Sequence, residues 1–485
     1  MTILATDKFN EECGVVGVFD RPEAANLVYL GLYALQHRGQ EGAGIASADG
    51  EGLISHRDLG LVADVFDEDI IRRLGGPAAI GHNRYSTSGR TLLRNTQPFV
   101  VEYSLGSLAV SHNGNFTNAK SLHRELESRG AIFQSTVDSE VLIHLIAQST
   151  RPTLLERTID AITRVQGAYS ILFLSDREMI AARDPHGFRP LVLGCFEDGG
   201  HVVASETCAL DLMEAEYIRE VEPGEVLHFT DGEVTSLRPF TAVPRRACIF
   251  EYVYFARPDS KVFGRNVYET RKAIGRQLAR EAPVEADIVI PVPDSGVPAA
   301  LGYSEESGLR FEMGLIRNHY VGRTFIEPSD SIRHFGVKVK LNAQRDVLAG
   351  KRVVVLDDSI VRGTTSGKIV RMLRAAGARE VHFRVSAPPT VSPCYYGVDT
   401  PTEDELVANK MSVEELRGYI LADSLAYLSE DGLYSFADGD KSGFCDACFT
   451  RNYPVEVEED DEKSQMKLFH ARELRPANGR RIRSV

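Results

Sequence analysis

The chain has 485 residues, 43% of them hydrophobic, which is enough for two or three domains of ordinary size. A formal net charge of −14 excludes a general nucleic-acid binder, which needs a basic face, but leaves room for an anionic ligand in a locally positive pocket. No run of about 18 uncharged apolar residues is present, so no transmembrane helix and no membrane partner are expected.

The first twelve residues, MTILATDKFNEE, have neither a basic start nor an apolar core, so they are not an export signal. Seven cysteines without such a signal fit a reducing cytoplasm, with thiols kept for chemistry or metal. The next stretch, EECGVVGVFD, puts Cys13 at the head of an apolar, strand-like run. A cysteine there is either a small buried hydrophobe or a nucleophile exposed when the residues before it are removed. From residue 13 to about 245, short stretches such as LGSLAVSHNG and YSILFLSD are divided by Gly, Asn and Asp turns. This predicts a strand-dominated region with helices between, one near DSEVLIHLIAQS. RPFTAVPRRA marks a hinge, and RNVYETRKAIGRQLAREA has helical spacing. Beyond it the β-branched runs ADIVIPVP, KRVVVLDDSI and EVHFRVSAPP alternate with helical segments, as in an α/β domain whose parallel strands are buried on both faces. The end carries KSGFCDACF and then opposed charge blocks, EVEEDDEK and ANGRRIRSV, which predict a solvated tail.

The most specific stretch is VVVLDDSIVRGTTS, residues 353–366. A buried strand ends in Asp357 and Asp358, a short loop follows, and a helix is expected to begin near Ser366. Gly363 lets a phosphate approach the backbone, while Thr364, Thr365 and Ser366 supply hydroxyls beside the helix N-terminus. The acidic pair suits ribose hydroxyls or Mg2+; the bland alternative is a turn with solvated acids. The stretch resembles the phosphoribosyl pyrophosphate signature of type I phosphoribosyltransferases. That resemblance implies binding by Asp357, Asp358, Arg362, Gly363, Thr364, Thr365 and Ser366. IVIPVPDSGVPAA is similar to the family's pyrophosphate loop, through Pro293, Asp294, Ser295 and Gly296. RTFIEPSDSIRHFGVKVKLN stands where the family has a lid, with Arg323, Arg333, Lys338 and Lys340 as candidate pyrophosphate partners.

The fragments CGVVGVF, ALQHRGQEGAGIA, GHNRYSTSG, SHNGNFTN and STVDSEV together resemble the class II glutamine amidotransferase domain, an αββα sandwich of the N-terminal nucleophile (Ntn) hydrolases. The resemblance implies that Cys13 is a mature N-terminal nucleophile. Its own α-amine, with a pKa of about 7.7–8.0, would act as base, a role closed to the amide nitrogen of an internal cysteine. Residues 1–12 are then a propeptide. Asn113 and Gly114 would form the oxyanion hole, Arg84 would hold the glutamine α-carboxylate and Asp138 its α-ammonium.

In this order the two domains resemble the glutamine phosphoribosylpyrophosphate amidotransferase family over about residues 13–450. The expected division is a propeptide at 1–12, an amidotransferase domain at 13–245, a transferase domain at 246–455 and a tail at 456–485. The implied substrates are glutamine and phosphoribosyl pyrophosphate, with Ser295, Asp357 and Asp358 at Mg2+. Cys445 and Cys448 form a C-x-x-C open to zinc, iron–sulfur or redox use. With Cys248 and Cys394 they resemble the Bacillus-type branch, which implies a 4Fe-4S cluster. Cys195 and Cys208 read as core residues. The family further implies homotetramers, feedback inhibition by purine nucleotides and an ammonia channel, with Tyr85, His334 and Phe335 as candidate lining. The alternatives are another class II amidotransferase, which would lack VVVLDDSIVRGTTS, and a phosphoribosyl-pyrophosphate-binding regulator, which would need a DNA-binding face.

Overall fold

The computed structural model describes residues 13–85, 92–230, 233–318 and 341–458. Two antiparallel sheets form its N-terminal half. One runs in the order Glu216–Glu220, Val192–Cys195, His201–Ala204, Gly14–Phe19, Ala78–Arg84, Gly42–Ala48, Leu53–Leu59. The other runs Glu233–Leu237, Val226–Thr230, Met179–Arg183, Gly167–Leu174, Gly106–Phe116, Phe99–Tyr103. The central strands are buried on both faces, which is why they read as unbroken runs rather than alternations. Val15, Ile80, Ala46, Leu172 and Met179 fill the space between the sheets. Their neighbours Val16, Val18, Ile45 and Ala79 pack outward on helix Ala24–Ala34. On the opposite side Val110, Ile171 and Phe173 meet Leu142, Ile146 and Ile162 of helices Glu140–Gln148 and Leu154–Ile162. The second of these starts at a Thr153–Glu156 capping box, which satisfies its first N–H groups. Helix, sheet, sheet, helix is the αββα order of an Ntn hydrolase.

The C-terminal half is built on five parallel strands in the order Arg310–Phe311, Ile288–Pro291, Arg352–Asp357, Glu380–Val385, Ser424–Tyr427. Val289, Val354 and Leu356 face helices Val267–Glu281 and Val297–Ser307. Ile290, Val353, Val355 and Phe383 face helix Thr364–Ala375. Helices on both faces explain the continuous β-branched runs. The last of these helices begins at Thr364, two residues before the expected start at Ser366. Gly363 has φ +78° and turns the loop straight into helix, so both threonines join the first turn.

The halves are stitched at their junction by a short parallel pairing of Ala247–Cys248 with Phe444–Cys445. Buried ions cross the same junction. Arg38, 1% exposed, donates to Glu206 and, from Nη2, to Glu251 at 2.6 Å, while Arg189 Nη1 lies 3.7 Å from Glu251. Among the described residues no helix is long and apolar enough to cross a membrane.

Candidate functional site

Cys13 precedes the central strand, 7% exposed, and its thiol donates to the Tyr85 carbonyl at 3.4 Å. Gly14 pairs with Asn83, which sets the cysteine beside the end of strand Ala78–Arg84. Arg84 is buried and donates from Nη1 to the Asn95 carbonyl at 2.7 Å. Burial lowers its pKa, opposed by the nearby Cys13, Glu41 and Asp138, so sulfur, guanidinium and carboxylates share one neighbourhood. Asp138 accepts the Phe116 N–H at 2.8 Å, which ties it to the strand end that carries Asn113 and Gly114. His82, two residues before Arg84, reaches the His112 carbonyl at 3.0 Å and joins the two sheets at this edge. Burial drives the His82 pKa down to about 3 and lowers that of His112, which keeps both rings neutral at pH 7.

Asn113 is fully buried, and neither atom of its side-chain amide has a hydrogen-bond partner. Leaving a buried polar group unpaired costs about 1–3 kcal/mol. An orphaned buried amide suits a donor reserved for charge that develops only during reaction. Gly114 has φ +147°, and a Cβ there would lie 2.0 Å from the Ala168 carbonyl oxygen, so only glycine fits. The five residues expected for glutamine chemistry are thus gathered at one edge of the sandwich.

A second site lies at the C-terminal edge of the parallel sheet, where open α/β sheets place their ligands. Asp357 and Asp358 are each 1% exposed. Asp358 accepts the Ser295 hydroxyl at 2.5 Å and the Ser359 hydroxyl at 2.6 Å, and its N–H donates to Asp357 at 3.0 Å. Ser295 follows a cis peptide between Pro293 and Asp294, in the turn after strand Ile288–Pro291. Two carboxylates and a hydroxyl are the hard oxygen donors that Mg2+ prefers. Thr364, Thr365 and Ser366 form the first turn of a 12-residue helix, whose N-terminal dipole favours a phosphate. Arg362 pairs with Glu405 at 3.2 Å at the mouth of the loop. Arg323, Arg333, Lys338, Lys340, His334 and Phe335 fall outside the described residues.

The family model for a glutamine amidotransferase domain matches residues 82–212, which contain Arg84, Asn113, Gly114 and Asp138. The chain is 50% identical over 456 residues to the amidophosphoribosyltransferase of Bacillus subtilis, covering 93% of this chain and 96% of that one. It is 56% identical over 453 residues to the chloroplastic amidophosphoribosyltransferase of Glycine max, 93% of this chain and 80% of that one. The chain belongs to the amidophosphoribosyltransferase family. A solved glutamine phosphoribosylpyrophosphate amidotransferase from B. subtilis, complexed with ADP and GMP, superimposes with a TM-score of 0.87. That match has 49% identity and covers 92% of this chain and 98% of that one.

The chain gathers four of its seven cysteines. Cys248, Cys394, Cys445 and Cys448 line one cavity, walled by Phe188, Phe250, Tyr396 and Tyr453. Burial pushes the Cys445 thiol up to about 12 and raises Cys448 as well, with Cys248, Cys394 and Cys445 adding to the latter. Cys208 is buried under Ala34 and Glu206, whereas Cys195 is only half-buried at a strand end. The buried ions Arg38, Arg189, Glu206 and Glu251 were not singled out by motif. For Arg189 and Glu251 the signal is a lone charge inside an apolar run, GFRPLVLG and ACIFEYVYF, a context in which a charge is buried only if paired; Arg38, in QHRGQE, carries no such signal.

Proposed function

We propose that the chain converts glutamine, phosphoribosyl pyrophosphate and water to 5-phosphoribosylamine, glutamate and pyrophosphate, the first step of de novo purine synthesis. The reading is carried by the presence, on one chain, of the orphaned Asn113 amide, of Cys13 in the neighbourhood of Arg84, and of the Ser295–Asp358 contact at the sheet edge. Removal of residues 1–12 frees the Cys13 α-amine as base. The sulfur attacks the glutamine carboxamide, the Asn113 amide and Gly114 N–H stabilise the oxyanion, and ammonia leaves a glutamyl thioester that water hydrolyses. Arg84 and Asp138 hold the two ends of the amino acid. Ammonia travels inside the protein, past Tyr85, because protonation in water would remove its lone pair. It then displaces pyrophosphate at C1 of the ribose, whose hydroxyls Asp357 and Asp358 bind while the loop Arg362–Ser366 holds the phosphate.

Ser295, Asp357 and Asp358 would hold Mg2+, which when bound would neutralise charge on the leaving pyrophosphate. We assign Cys248, Cys394, Cys445 and Cys448 to a 4Fe-4S cluster that braces the junction. The four thiols line one cavity, which suits a 4Fe-4S cluster; tetrahedral zinc is the alternative for the same four ligands. The homotetramer and the cytoplasmic location rest on the family resemblance and on cysteine usage. Purine nucleotides are the proposed inhibitors, and the ADP- and GMP-bound B. subtilis relative supports that.

Anaerobic purification, intact mass and an iron, sulfide and zinc assay test the reading alongside turnover with glutamine or ammonia. Loss of the first twelve residues, about four irons and four sulfides per chain, and activity with both nitrogen sources are expected. An uncleaved chain that uses only ammonia overturns the glutamine half; stoichiometric zinc overturns the cluster.

A further inference from the structure

We propose that the loop Tyr395–Gly397 of the transferase half is a positioning element for the oxyanion hole of the amidotransferase half, and that Gly397 sets its fit. The inference rests on the proposed activity. Gly397 has φ +101°, and a Cβ built there would lie 2.9 Å from both the Cα and the carbonyl carbon of Gly114 and 3.1 Å from its oxygen. On its other side Gly114 leaves no more room, since its own Cβ would meet the Ala168 carbonyl at 2.0 Å. The oxyanion glycine is therefore clamped between its sheet neighbour and a loop from the other domain. A second contact pins the same place: Asn115 Nδ2 donates to the Tyr395 carbonyl at 2.9 Å.

The loop is itself held firmly. The Tyr396 ring stacks on Phe188 at 4.4 Å between centroids, its hydroxyl donates to the Val455 carbonyl at 2.7 Å, and its carbonyl accepts Arg189 Nε at 2.9 Å. At the other end of the same segment the Ser386 N–H donates to the Asp357 carbonyl at 2.9 Å. One stretch of chain thus runs from the diacid of the second site to the back of the oxyanion hole. Hydrogen-bond donors act on a developing oxyanion only when held within a few tenths of an ångström. A methyl group at Gly397 must push Gly114 by about that much.

The test measures kcat and KM for glutamine, and kcat with ammonium chloride, on full-length Gly397→Ala and Asn115→Ala. For Gly397→Ala the glutamine-dependent kcat is expected to fall roughly 10- to 100-fold, below the loss of a whole oxyanion donor. The KM for glutamine, set by Arg84 and Asp138, and the ammonia-dependent kcat should stay within about 3-fold. Asn115→Ala should lower the same glutamine-to-ammonia ratio by about 3- to 10-fold, and it decides the matter if Gly397→Ala does not fold. An unchanged ratio in both variants, or an equal loss of both activities in Asn115→Ala, overturns the inference. A wild-type enzyme that uses ammonia but not glutamine overturns the proposed function instead, so the two failures are distinct.

Discussion

Neutralising Glu251 tests whether buried ions hold the two halves together. Glu251 and Arg189 are 0% exposed and Arg38 is 1% exposed, and both arginines come from the amidotransferase half while Glu251 opens the transferase half. Arg38 donates to Glu251 at 2.6 and 3.2 Å from its two terminal nitrogens. Burial alone would raise the Glu206 carboxyl, but Arg38 and His37 overcome it and hold Glu206 well below the usual carboxylate range. Glu251→Gln keeps the shape but takes the charged partner from Arg189 and one of two carboxylates from Arg38, which retains Glu206. Removing one partner of a buried pair costs about 3–5 kcal/mol. In domains of this size each kcal/mol moves the midpoint by about 2–4 °C, so Tm should fall by roughly 6–20 °C. Scanning calorimetry on wild type, Glu251→Gln, Arg38→Met and the double variant checks this. The double variant should lose clearly less than the sum, with a coupling of about 1 kcal/mol or more. A midpoint within about 2 °C of wild type, or strict additivity, would refute the reasoning.

Cys13→Ala should abolish glutamine-dependent synthesis, a loss of at least about 1,000-fold, while ammonia-dependent synthesis remains; steady-state assays with each nitrogen source decide it. Asp358→Asn, which weakens the contacts of Ser295 and Ser359, should lower turnover with either nitrogen source by about 100-fold and leave alkylation of Cys13 by a glutamine-like chloroketone at the wild-type rate. The His82 ring titrates near pH 3 in the folded chain because burial, then the Arg84 charge, outweigh its bond to the His112 carbonyl; unfolded it titrates near 6.5. The unfolded chain therefore binds the extra proton between those values. Stability from this group is complete above about pH 6.5 and is lost as the pH falls toward 3, by up to about 1.4 kcal/mol per unit. His82→Gln removes that part of the slope, so urea midpoints between pH 7 and 5 should fall less steeply than in wild type; an identical slope counts against it.

Much of the fold was legible because strands buried on both faces leave unbroken apolar runs, as in VVVLDD, where the strand does end at Asp357. The Asp357–Ser366 loop was legible for a related reason. Its chemistry is local, with carboxylates, glycine and hydroxyls within ten residues of chain, and only the helix start at Thr364 was misjudged. Asn113 and Gly114 were named by motif, but the motif could not show that the amide is orphaned or that the glycine is closed in by Ala168. Those facts exist only once the neighbouring strand is in place.

The junction was illegible for the same reason carried further. Gly397 sits in CYYGV, where nothing local demands a glycine, and its cause lies at Gly114; the adjacent Asn115–Tyr395 bond spans 280 residues of chain. Glu251 can be suspected of burial from its apolar setting, whereas Arg38 sits in the polar stretch QHRGQE, and a charge 213 residues away is not a pattern with a period. Close approach of two backbones and pairing of buried ions are both products of how the two domains dock. If that docking exists to couple the sites, its residues should affect the ratio of glutamine to ammonia use more than either activity alone. Gly397→Ala and Glu251→Gln then differ in kind: the first, strained at a φ of +101°, should change the ratio measured on folded enzyme, whereas the second should lower the midpoint with both activities lost together on heating.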